Sequence, residues 1–268
     1  MPSATAEPVV RGALLDLSGV LYVGDQALPG ALAAVERLQA AGLPLRYITN
    51  TSRSTRSAIQ AKLRRLGFRI PTGQIFTAPL ATCHHLERHH LRPYLVVHPN
   101  LAAEFSALPQ EHPNAVVVGD AGEAFTYDRL NRAFRLLMEG AEFLAMGDNR
   151  YFREADGLSL DLGPFVRALE YASDRQATIL GKPAADFFHA AVADLGLAPA
   201  EVVMVGDDAH SDVEGALAAG LQAILVRTGK YRPGDEDRIG LPGARVMDDI
   251  VAVADWLLRH FPAPNAQE

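Results

Sequence analysis

An α/β fold built on a parallel sheet is the expectation from three features of the sequence. Short apolar runs alternate with stretches patterned as helices, opening as strand, helix, strand, helix. Several runs, such as Ala13-Leu14-Leu15 and Val202-Val203-Met204-Val205, are apolar throughout, as suits parallel strands covered on both faces. Polar groups then gather where runs stop: Asp16 with Ser18, Thr49 with Asn50, Lys182, and Asp207 with Asp208. In an open parallel sheet, ligands bind outside those carboxyl ends.

The elements follow in order. Ala13-Leu14-Leu15 ends in Asp16, and Gly19 lets the backbone turn there. A loop over 24–30 leads to a helix over 31–41, with Leu32, Val35 and Leu38 on one face. A strand over 43–48 ends in Thr49-Asn50-Thr51-Ser52, and Ser52 or Ser54 is expected to cap a helix running to about residue 66. Further helices are expected over 80–90, 127–138, 164–172, 212–219 and 249–260. Strands are expected over 94–97, 115–118, 142–146 and 223–226, with a polar loop over 147–157. Residues 1–9 and 262–268, rich in Pro, Ala and polar groups, read as loose tails.

Composition bounds the function. The chain has 268 residues, 49% of them hydrophobic and 21% charged, enough for one or two globular domains. With 32 acidic residues against 25 Lys and Arg there is no basic stripe, so nucleic acid is not an expected partner. No apolar run approaches membrane-spanning length, and the first residues lack a secretory pattern. Cys83 is the one cysteine, so no intrachain disulfide forms and a reducing, cytoplasmic setting is expected.

Strand ends of one parallel sheet lie side by side, so these polar groups can converge. Carboxylates from Asp16 and Asp207, with a backbone carbonyl, make a hard oxygen site suited to Mg2+. Thr49 and Asn50 offer a hydroxyl, an amide and backbone N–H groups near a helix start, which suit an anion. Lys182 adds a positive charge, and Asp212 lies one helical turn beyond Asp208. Cation, donors and a carboxylate nucleophile are what phosphoryl transfer requires, because the transferred group carries charge on its oxygens.

The set resembles the haloacid dehalogenase-like phosphatases. Asp16-Leu17-Ser18-Gly19 resembles their first motif, Thr49 the second, Lys182 the third, and Gly206-Asp207-Asp208 with Asp212 the fourth. The resemblance implies a three-layer Rossmann-like core over residues 1–79 and 177–268, with an inserted α/β cap domain over 80–176. Leu91-Arg92-Pro93-Tyr94-Leu95, Gly119-Asp120-Ala121-Gly122-Glu123 and Arg227-Thr228-Gly229-Lys230-Tyr231-Arg232-Pro233 are similar to the branch that acts on phosphohistidine, phospholysine and inorganic pyrophosphate. It also implies roles. Asp16 attacks phosphorus and forms an aspartyl-phosphate. Asp16, the Ser18 carbonyl and Asp207 hold Mg2+. Thr49, Asn50 and Lys182 hold phosphoryl oxygens. Asp212 orients Lys182 or a metal-bound water, and Asp208 serves either the metal's surroundings or a helix cap. A homodimer through the cap is implied in the same way.

One departure bears on the substrate. Most of that family has a second Asp where this chain has Ser18, and that Asp protonates the leaving group. General acid–base help contributes about 10²–10⁴-fold, so leaving groups that need little help are expected here. Phosphate leaving pyrophosphate is one; imidazole, whose conjugate acid has a pKa of about 6.5, is another. The alternatives are a phosphatase of small monoesters such as sugar phosphates or nucleotides, and a low-turnover phospho-binding scaffold. Asp120 and Glu123 read either as a substrate-reading loop or as a structural turn. Cys83-His84-His85 with His89-His90 reads as a solvated helix rather than a zinc site, there being a single cysteine.

Overall fold

A computed structural model describes residues 9–153 and 157–261, so the expected tails lie almost wholly outside the described residues. The chain forms two compact units. The first takes residues up to Thr49, Gln60–Phe76 and everything from Phe188; the second takes Asn50–Ile59 and Thr77–Phe187. Both are α/β, as expected.

The first unit is organised on a six-stranded sheet, in the order Ala244–Met247, Gln222–Val226, Val202–Gly206, Gly12–Asp16, Leu45–Thr49 and Ile75–Thr77. Gly12–Asp16 pairs in parallel with both neighbours, Leu15 opposite Val205 and Asp16 opposite Ile48. That register brings the ends of three adjacent strands level. The central strands are buried along their whole length, which explains their continuous apolar sequence. Helices Ala31–Ala40 and Ile250–His260 pack on one another. The buried face of the former is Ala31, Ala34, Val35 and Leu38, while Leu32 lies 36% exposed. Asp249 caps the latter, its Oδ1 accepting from the N–H groups of Val251 and Ala252 at 2.9 Å each.

The second unit carries its own four-stranded parallel sheet, in the order Thr178–Ile179, Glu142–Ala145, Ala115–Val118 and Pro93–Val96. Helices Tyr127–Met138 and Gly163–Ser173 close an apolar core that includes Val116, Val118, Phe143, Leu162 and Val166.

Several local expectations fail for identifiable reasons. The span over 147–157 was expected as loop, yet Tyr151–Arg153 pairs antiparallel with Leu158–Leu160. Its strands are three residues long and half exposed, so alternation has no room to show. Tyr22–Val23 pairs with Gln26–Ala27 where a plain loop was expected to begin. Neither Ser52 nor Ser54 caps helix Arg56–Arg65: Thr55 does, accepting the Ala58 N–H at 3.2 Å. The helix expected over 212–219 starts earlier, as a π-helical turn Ala209–Glu214 followed by Gly215–Ala218. Among the described residues no helix is long and apolar enough to cross a membrane.

Candidate active site

Asp16 ends the fourth strand of the first sheet, Thr49 ends its neighbour on one side, and Asp207 follows Gly206 on the other. Asp212 returns from the π-helical turn. Asp16, Asp207 and Asp212 are 6%, 2% and 1% exposed. Each offers a carboxylate oxygen, and these oxygens lie within 4.8 Å of one another. Among the described residues no group of three from the histidine-rich stretch 84–90 could share a metal in this way.

Missing side chains make the room. A Cβ on Gly206 would stand 2.2 Å from the Asp212 Cβ. At Gly19, with φ of +91°, a Cβ would stand 2.0 Å from Asp207 Oδ2, and at Gly229, with φ of +64°, it would stand 2.1 Å from the same oxygen. Positive φ and the close approach together require glycine at both positions. Thr228 Oγ1 donates to the Gly19 carbonyl at 2.5 Å, and the Lys230 N–H donates to Asp207 Oδ2 at 2.6 Å. Residues 228–230 therefore close over the aspartate cluster. In the sequence these residues stand out only within the resemblance carried by Arg227-Thr228-Gly229-Lys230-Tyr231-Arg232-Pro233, not as part of the site. Their position just beyond strand Gln222–Val226, in an apolar run that stops at a glycine turn, is the signal that marked the other strand ends.

Three buried carboxylates repel one another. Burial, and then the charges of Asp16 and Asp212, push the Asp207 carboxyl up to about 7, against the opposing hydrogen bond from the Lys230 N–H. Burial, and then Asp16 and Asp25, likewise push Tyr22 up to about 12. A hard divalent cation fits this set: all donors are oxygens, and its charge would relieve the repulsion.

The other expected residues are placed as follows. Ser18 is exposed, two residues after Asp16. Asp208 turns to capping: its Oδ1 accepts the N–H groups of His210 at 3.1 Å and Ser211 at 2.9 Å, and its Oδ2 lies 3.6 Å from Lys230 Nζ. Asp212 Oδ2 accepts the Asp208 N–H at 3.2 Å. Thr49 is 5% exposed. Asn50 and Lys182 belong to the second unit. There the Lys182 N–H donates to Asn50 Oδ1 at 2.8 Å and Asn50 Nδ2 donates to the Lys182 carbonyl at 2.9 Å. The side-chain amide of Asn50 thus reads both polar groups of one backbone residue. A Cβ on Gly181 would stand 2.2 Å from the Met146 carbonyl, so the residue before Lys182 has to be glycine. Lys182 itself is 5% exposed.

Comparison with known proteins gives the family. Residues 13–109 match the family described as haloacid dehalogenase-like hydrolase, and residues 179–253 match a second, HAD-hydrolase-like family. The chain is 44% identical over 255 residues to phospholysine phosphohistidine inorganic pyrophosphate phosphatase of Danio rerio, covering 93% of this chain and 94% of that one. It is 43% identical over 252 residues to haloacid dehalogenase-like hydrolase domain-containing protein 2 of Homo sapiens, covering 94% and 97%. Among solved structures, a 4-nitrophenylphosphatase from Thermotoga maritima superposes with a TM-score of 0.85 at 28% identity, covering 92% and 97%. The chain belongs to the haloacid dehalogenase-like hydrolases and is a phosphatase of that family.

Proposed function

We propose that the protein is an Mg2+-dependent phosphatase of phosphoramidate and phosphoanhydride groups, namely phosphohistidine, phospholysine and pyrophosphate, working through an aspartyl-phosphate on Asp16. The observation that carries the reading is the convergence of the Asp16, Asp207 and Asp212 oxygens within 4.8 Å at the carboxyl edge of the sheet.

Asp16, the Ser18 carbonyl and Asp207 would hold Mg2+, which when bound offsets the negative charge of the cluster and of the incoming phosphoryl group. The chain's own groups do the rest. A carboxylate oxygen of Asp16 forms a bond to phosphorus while the bond from phosphorus to nitrogen or bridging oxygen breaks, and that bond's electron pair leaves with the departing group. Water then attacks the aspartyl-phosphate, releasing phosphate and restoring the carboxylate. Thr49 and Lys182 hold the phosphoryl oxygens, and Asn50 serves them by fixing the Lys182 main chain. Asp212, through the Asp208 N–H, supports the turn that carries Asp207.

The substrate class rests on Ser18. The residue two beyond the nucleophile is an exposed hydroxyl, a weak acid and a weak base near neutral pH. Good leaving groups suffer least from that, which favours imidazole and phosphate over alkoxide. The identities of 44% to a relative named for phosphohistidine and pyrophosphate and 43% to one named only for its domain do not by themselves choose a substrate.

A panel of pyrophosphate, phosphohistidine, phospholysine, sugar phosphates and nucleotides, run with Mg2+ and with EDTA, tests the reading. The first three are expected to give the highest kcat/KM, with all turnover lost on chelation and in Asp16→Asn. Highest kcat/KM on monoesters overturns the substrate class. A stable acyl-phosphate without phosphate release overturns the enzyme in favour of a binding protein.

A further inference from the structure

The turn that follows Asp16 is gripped by a residue the mechanism does not use. Leu17 to Tyr22 folds back on itself. The N–H groups of Leu21 and Tyr22 donate to the Leu17 carbonyl at 3.0 and 3.3 Å, and the Gly19 N–H donates to the Tyr22 carbonyl at 2.7 Å. Both backbone polar groups of Tyr22 are therefore committed inside the turn. The Gly19 N–H shares one peptide unit with the Ser18 carbonyl. That peptide is trans, so the two groups point in opposite directions. Fixing the N–H on Tyr22 thus fixes the direction of the Ser18 carbonyl.

Tyr22 also begins a small hairpin. Tyr22–Val23 pairs with Gln26–Ala27 around Gly24-Asp25, with Gly24 at a φ of +56°. Two residues a strand make a ladder too short to hold its own place. Lys62 supplies the hold, from the part of helix Arg56–Arg65 that lies in the same compact unit as the hairpin. Its ammonium lies over the Tyr22 ring, 4.7 Å from the centroid, and 3.2 Å from Asp25 Oδ1 at the hairpin tip. The two grips are unequal. The Asp25 side chain is 90% exposed, so that pair is screened and contributes little. Tyr22 is 8% exposed and the Lys62 side chain 32%, so the contact of cation and ring is partly desolvated and is the stronger one.

We propose that Lys62 is a positioning residue for the metal: through the Tyr22 ring it holds the Leu17–Tyr22 turn in the arrangement that aims the Ser18 carbonyl. The inference rests on the Mg2+ site proposed above, with Asp16, the Ser18 carbonyl and Asp207 as its ligands. Lys62 acts through Tyr22 and not by contact with the ion.

The sign of the effect separates this role from plain electrostatics. Lys62 is a cation in the unit that holds the cation site, so losing its charge alone strengthens Mg2+ binding. Losing its grip weakens binding. Calorimetry of Mg2+ binding to the full chain at pH 8, with circular dichroism as a control of folding, compares the unaltered protein with Lys62→Met, Lys62→Arg, Arg64→Met and Asp207→Asn. Lys62→Met is expected to raise the Kd about three- to tenfold, the range of one contact between a cation and a ring. Lys62→Arg keeps a cation over the ring and is expected to bring the Kd back to within about twofold of the unaltered protein. Arg64→Met removes an equal charge from an exposed position on the same helix and is expected to leave the Kd unchanged or lower. Should Lys62→Met fail to fold, Lys62→Gln carries the same expectation. An unchanged or lower Kd on loss of Lys62, a rise that Lys62→Arg does not reverse, or an equal rise in Arg64→Met overturns the inference and leaves the phosphatase reading standing. If the unaltered protein binds no Mg2+, or Asp207→Asn binds it equally well, the metal site itself is wrong and this inference falls with it.

Discussion

The two sheets share one architecture and carry opposite chemistry at their carboxyl edges. The first gathers Asp16, Asp207 and Asp212, three buried acids with oxygens within 4.8 Å. The second carries Lys182, buried and fixed through Asn50, and Arg53, braced by Asp120. Glycines make space in both: Gly19, Gly206 and Gly229 around the acids, Gly181 before the lysine. The parallel strands supply an edge, and the residues that gather at and beyond the strand ends decide its charge. Phosphoryl chemistry needs both signs, one for a metal and one for the phosphoryl oxygens.

Removing the Asp16 carboxylate, the proposed nucleophile, is the strongest test of the acidic edge. Asp16→Asn is expected to lower kcat by at least about 10³-fold with the fold intact, since a lost nucleophile is not replaced by its neighbours. Steady-state phosphate release with a circular dichroism control checks it. On the cationic edge, Lys182→Met is expected to lower kcat/KM by about 10²–10³-fold, the scale of one lost electrostatic donor. Comparable losses from both substitutions sharpen the contrast into two halves of one function; an unaffected Lys182→Met breaks it.

Ser18→Asp supplies the missing acid. It is expected to raise kcat on alkyl and aryl phosphates by about tenfold or more, within the range of general acid–base help. Unchanged or lower rates with intact Mg2+ binding would count against the account of the leaving group.

The acidic edge also has a pH signature. The Asp207 carboxyl is pushed up to about 7 from an ordinary 3.8. Without metal, its protonated form is the favoured one, so this group's contribution to folding is greatest below pH 4 and is lost as pH rises to about 7. Mg2+, bound as proposed, would compete with that proton. Its apparent Kd is expected to rise about tenfold for each pH unit below 7 and to level off above, as one competing proton requires. Calorimetry between pH 5.5 and 8.5 reads this directly. Asp207→Asn is expected to abolish the Mg2+ effect and to stabilise the metal-free protein at pH 8, because an uncompensated buried charge is gone.

Much of this was legible because the informative residues are local. Val202-Val203-Met204-Val205 followed by Gly206-Asp207 states both a buried strand and a carboxylate at its end. So does Ala13-Leu14-Leu15-Asp16. What escaped was set by partners far along the chain. The amide of Asn50 is committed to Lys182, 132 residues away, and no local pattern announces that. Ser52 resembled a helix cap, but its hydroxyl accepts from Asp120 and Thr55 takes the cap. Asp120 makes a turn, its Oδ1 accepting the Gly122 N–H at 3.1 Å, while its other oxygen pairs with Arg53, a partner 67 positions away in the sequence. Ala244–Met247 and the strands at Tyr151 and Leu158 are short and only partly buried, so neither length nor alternation marks them.

The hydrogen bond from Thr228 to Gly19 spans 209 positions. During synthesis the aspartate at position 16 leaves the ribosome long before the residues that cover it, since chains emerge from the amino end at about 5–20 residues per second. For that interval the chain carries Asp16 without the hydrogen bond that ties the following turn to Thr228. The turn at Gly19 is thus tied down only after a further 209 residues have been made.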